Sequence, residues 1–64
     1  MIDEIMEEHF RLFMQQGDPF SPHDLALATL DTACARGLID QHDDPGLDLA
    51  CMRFEEIARY KMGL

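Results

Sequence analysis

Sixty-four residues and 7.3 kDa leave room for one domain, spanning residues 1–64, with a core too small to house an active site of any size. Thirteen Asp and Glu against five Lys and Arg set the net charge at −8, which opposes direct binding to nucleic acid phosphates or anionic lipid. No apolar run approaches the ~20 residues of a membrane span, and a hydrophobic fraction of 47% with apolar residues in register excludes a disordered chain.

The first predicted helix runs from about Ile2 to Gln16. Ile2, Ile5, Met6, His9, Phe10 and Phe13 recur at three- and four-residue steps and form one stripe. Glu4, Glu7, Glu8, Arg11 and Gln15 take the opposite side. Gly17 accepts the left-handed conformation that ends a helix, and Asp18-Pro19 prevents continuation. The second helix starts at Ser21, a natural N-cap, with Pro22 at N1 and Asp24 at N3 to complete a capping box. Phe20 and Leu25 stand at the spacing of a hydrophobic staple. Ala26, Leu27, Leu30, Ala33 and Cys34 are the expected inward stripe. Arg36, Gly37 and Leu38 read as a helix end with a Schellman arrangement. A loop follows over about Ile39 to Asp44. Asp44-Pro45 repeats the cap-then-proline signal, so the third helix is expected from there to Lys61 or Met62. Leu47, Ala50, Cys51, Phe54, Ile57, Ala58 and Met62 share one of its faces, with Glu55 and Arg59 as a favourable i,i+4 pair. No strand pattern or internal repeat competes. Three amphipathic helices with short connections bury their stripes against one another, so the predicted fold is all-α, a compact three-helix bundle.

Catalytic chemistry finds little support in these residues. Ser21 is committed to a cap, and Cys34 and Cys51 lie on inward stripes, where cysteine behaves as a small hydrophobe. His9 sits within an apolar stripe, the setting of a boundary histidine with one hydrogen bond. His23 is expected at the surface, and His42 lies among loop acids. The segment Asp40-Gln41-His42-Asp43-Asp44-Pro45-Gly46 invites comparison with a calcium loop. The match fails: counted from Asp40, the sixth position is Pro45 rather than Gly and the twelfth is Cys51 rather than Glu. The cysteines and histidines lack zinc-ligand spacing. No metal ligand, cofactor or enzymatic activity is predicted. Only two cysteines and an opening of Met-Ile-Asp-Glu, without an apolar leader, suggest a reducing cytoplasmic setting.

The charge is concentrated. Residues 1–20 and 21–46 each carry a net −4, and residues 47–64 are neutral. Asp3 and Glu4 suit a helix N-terminus. Glu7 and Glu8 are not explained that way, because Asp3 with Glu7 and Glu4 with Glu8 are like-charge i,i+4 pairs, and only Glu7 has an evident partner, Arg11. Four carboxylates over five helical steps give about one charge per ~1.9 Å of axis, against ~1.7 Å in duplex DNA. Asp40, Asp43 and Asp44 are candidates to extend this acidic surface if they fold beside it. On the third helix, Leu49, Met52 and Tyr60 fall outside the core stripe. Leu49, Arg53, Glu56 and Tyr60 follow a four-three-four spacing, a mixed strip suited to a protein contact, including a second copy of the chain.

In size, acidity and absence of catalytic residues, the whole chain resembles the small phage-encoded inhibitor proteins of the anti-CRISPR and DNA-mimic type, which would place it in a host cytoplasm. The resemblance implies a non-enzymatic inhibitor in which Asp3, Glu4, Glu7, Glu8, Asp40, Asp43 and Asp44 meet the basic surface of a protein or nucleoprotein complex. The alternative is a small helical adaptor or assembly factor acting through Leu49, Met52 and Tyr60 as a dimer.

Overall fold

Three helices account for the computed structural model, which describes all 64 residues: α1 (Ile2–Gln16), α2 (Pro22–Ala35) and α3 (Asp44–Met62). The fold is the all-α three-helix bundle that periodicity predicts. α2 makes the extensive contacts, with both α1 and α3. The radius of gyration is 11.3 Å, close to the ~11 Å expected of a packed chain of this length.

The helix boundaries follow from local chemistry. α1 stops at Gly17, whose φ of 77° only a glycine adopts without strain. At the start of α2 the capping box is complete. Ser21 Oγ accepts from the Asp24 N–H at 3.1 Å, and Asp24 Oδ2 accepts from the Ser21 N–H at 2.9 Å. Its end is a full Schellman motif: Gly37 N–H donates to the Cys34 carbonyl at 3.0 Å and Leu38 N–H to the Ala33 carbonyl at 2.9 Å.

α3 begins at Asp44, where it is expected, but its cap lies one residue earlier than the sequence suggests. The cap is Asp43 and not Asp44, with Oδ1 accepting from the Gly46 N–H at 3.2 Å. Pro45 has no N–H, so the donor nearest a capping carboxylate is that of Gly46, three residues beyond Asp43.

The core is a cluster of Met6, Leu25, Ala26, Phe54 and Ala58, with Ile2, Phe10, Phe13, Phe20, Leu30, Ile39 and Ala50 packed against it. Phe20 leaves the α1–α2 connection to stack on Phe13, ring centroids 4.9 Å apart, and meets Phe10 edge-on at 5.9 Å. It therefore folds the connection back onto α1 and against the core. His9 Nε2 and Thr32 Oγ1 share a hydrogen bond of 2.6 Å between α1 and α2, the single bond expected of a boundary histidine.

Two core assignments need correction. Leu27 is 43% exposed, and the buried stripe of α2 is Leu25, Ala26, Thr29 and Ala33. Thr29 belongs to it although it is polar. Its hydroxyl donates to the Leu25 carbonyl at 2.8 Å, so it lies fully buried with its bonding met inside its own helix. Ile57 lies at the edge of the α3 stripe and is partly exposed.

Candidate functional site

The outer face of α1 carries the acidic residues. Successive residues turn by about 100°, so Asp3, Glu7, Glu4 and Glu8 spread over roughly 140° of the helix circumference. They form two rows, Asp3–Glu7 and Glu4–Glu8, with Arg11 between them. The rows lead to different neighbours. Glu7 is half-exposed and forms an ion pair with Lys61 near the end of α3. Glu8 faces Arg36 at the end of α2, with N···O at 4.0 Å and both side chains exposed. The expected Glu7–Arg11 pair is thus replaced by Glu7–Lys61. The tertiary fold brings a lysine from 54 positions away into hydrogen-bond contact. The Lys61 hydrogen bond, then its charge, hold the Glu7 carboxyl below its ordinary range, with a smaller push in the same direction from Arg11.

This arrangement revises the single-file picture. One of the four carboxylates is neutralised by Lys61, and a second sits at the limit of an ion pair that contributes little at a solvated surface. Asp3 and Glu4 stand exposed with no ion-pair partner.

The loop acids have local duties. Asp40 Oδ1 accepts from the His42 N–H at 2.9 Å, and Asp43 caps α3. Asp43 and Asp44 stand at the first turn of α3, about 25 Å along its axis from Lys61, which holds Glu7. They therefore do not continue the Asp3–Glu7 row.

The strip on α3 is where the spacing places it. Leu49, Met52 and Tyr60 are 65%, 63% and 88% exposed, on the side of the helix away from Phe54 and Ala58. Arg53 and Glu56 share that side and are exposed. A shallow depression next to it is lined by Met52, Glu55, Glu56 and Arg59.

One cluster escaped the sequence reading. His23 at the second position of α2, and Cys51 and Glu55 one turn apart on α3, bring their donor atoms within 4.8 Å of one another. His23 Nδ1 lies 3.3 Å from Glu55 Oε2, and Arg59 lies 3.6 Å from Glu55 Oε1. Cys51 and Glu55 at i,i+4 were legible as neighbours. His23, 28 residues before Cys51, was not, because only the packing of α2 on α3 brings it there. The absence of zinc-like spacing along the chain was therefore no guide to the donors that meet in space. Both cysteines are free thiols, half-buried.

No protein family, curated protein or solved structure matches this chain. No helix is long and apolar enough to cross a membrane.

Proposed function

We propose that the protein is a non-enzymatic inhibitor that binds the basic surface of another protein or nucleoprotein complex through the outer face of α1, in the manner of the small anti-CRISPR and DNA-mimic proteins that it resembles. The observation that carries this reading is the pair Asp3 and Glu4, exposed and in no ion pair although Arg11 lies between the rows, beside a loosely held Glu8, in a chain of net charge −8. Unpaired carboxylates on a rigid helix steer association with a cationic groove and make it sensitive to salt. Glu7 belongs to the fold through Lys61, so the binding face is narrower than four charges in line.

Affinity capture from cell lysate at low and high ionic strength tests the reading, with the Asp3→Lys/Glu4→Lys variant beside the native chain. The expected result is a basic partner held at low salt, released at high salt and lost with the variant at unchanged helicity. Retention of the same partner by the variant would refute the acidic face. Glu7 is left untouched, since changing it also breaks a contact within the bundle.

A second reading is favoured by the exposure of Leu49, Met52 and Tyr60. These residues suit the centre of a protein contact. On that reading the chain is an adaptor or assembly factor that pairs with a second copy of itself. Sedimentation distinguishes the two: a dimer that survives high salt and dissociates with Leu49→Glu/Tyr60→Glu supports the α3 strip.

A further inference from the structure

We infer that His23, Cys51 and Glu55 form a binding site for one zinc-class divalent ion that clamps the start of α2 to the middle of α3. Three donor types meet here from two helices: an imidazole nitrogen, a thiol sulfur and a carboxylate oxygen, all within 4.8 Å of one another. Tetrahedral zinc, with bonds of about 2.0–2.2 Å to nitrogen and oxygen and about 2.3 Å to sulfur, needs donor separations of about 3.3–3.6 Å. His23 Nδ1 and Glu55 Oε2 already stand 3.3 Å apart. With every donor separation under 4.8 Å, closing the site asks for a shift of no more than about 1.5 Å, within the reach of side-chain adjustment.

The donor chemistry selects the ion. Calcium and magnesium take oxygen cages, whereas a thiolate with an imidazole favours zinc and its transition-metal neighbours. Glu55 is prepared for the role by Arg59, which lies against Oε1 and leaves Oε2 directed to His23. Cys51 binds as the thiolate: a metal–sulfur bond forms as the S–H bond breaks, and the proton passes to water. His23 binds through neutral Nδ1, and a water molecule fills the fourth position. The bundle buries only eight residues, the situation in which small domains gain most from a metal staple.

The test is titration of the reduced protein with Co²⁺ and with Zn²⁺ in competition with a chromophoric chelator, with thermal unfolding read by circular dichroism. The native chain is expected to bind one ion, to show a thiolate-to-cobalt charge-transfer band, and to gain ~10–20 °C in Tm at a zinc concentration a hundredfold above Kd. Cys51→Ser removes the band, and His23→Ala weakens zinc binding at least tenfold, while Cys34→Ser changes neither. His23 is exposed, so its variant stays informative even if Cys51→Ser disturbs packing. The absence of one-to-one binding by the native chain overturns the proposal. So does zinc affinity that survives His23→Ala, or a charge-transfer band that follows Cys34 instead of Cys51. Loss of the site leaves the acidic face of α1 intact, so the outcome is independent of the capture experiment.

Discussion

Replacing Thr29 by valine tests how this core tolerates its one buried polar side chain. Thr29 is fully buried in α2, and its hydroxyl donates to the Leu25 carbonyl at 2.8 Å. Valine keeps the β-branched shape and puts a methyl where the hydroxyl was. The lost hydrogen bond removes about 0.5–1.5 kcal/mol. The Leu25 carbonyl keeps its helical N–H partner, so no buried acceptor is stranded. The added buried methyl contributes about 0.8 kcal/mol in return. The two nearly cancel, and the expected change in unfolding free energy lies within about 1 kcal/mol, less than ~8 °C in Tm for a chain of this size. Thr29→Ser is the opposite control: the hydroxyl stays, a buried methyl goes, and stability falls by about 0.5–1.5 kcal/mol. Urea unfolding monitored by circular dichroism reads both. A loss above ~2 kcal/mol for valine with a neutral serine variant would refute the reasoning, because it would show that the hydroxyl supports more than its own helix.

The remaining predictions concern the core, the capping box and the ion pair. Met6→Ala removes one of the largest fully buried side chains and is expected to cost about 2–5 kcal/mol, much of the stability of so small a domain, visible as a sharp fall in the urea midpoint. Ser21→Ala should cost about 1 kcal/mol; because Ser21 and Asp24 cap each other, Asp24→Ala made on top of it should cost less than it does alone. The folded Glu7 carboxyl titrates below its ordinary 4.5. The stabilisation from its pair with Lys61 is therefore complete above that value and disappears as pH falls through the lowered one. Lys61→Met should flatten the acid limb of a plot of urea midpoint against pH while leaving its slope near neutrality unchanged. An acid limb of unaltered steepness would show that Glu7 is not held by Lys61.

How much was legible in the sequence depends on the range of the interactions involved. Ser21, Asp24 and Pro22 mark the start of α2, and Gly37 with Leu38 its end, because caps satisfy backbone groups within four or five residues. The same locality explains the one-residue slip at α3. Two adjacent aspartates both fit a capping position, and only the geometry of the Gly46 N–H chooses Asp43. Leu27 was misplaced and Thr29 missed because hydropathy alone drew the stripe, whereas Thr29 enters the core by bonding to its own helix. On the surface, the spacing of Leu49, Met52 and Tyr60 sufficed to place them away from the α3 core face.

By itself, then, the sequence determined three helices, their ends, their amphipathic faces and an excess of negative charge in the first 46 residues, all of them properties of neighbours within about one or two helical turns. Only the tertiary structure decided who meets whom. It set Lys61 on Glu7 and Arg36 near Glu8, which neutralised one carboxylate of the acidic face and loosely held a second. It also carried His23 to Cys51 and Glu55. Those pairings depend on where α1 and α3 lie against α2, a result of packing that no local periodicity encodes.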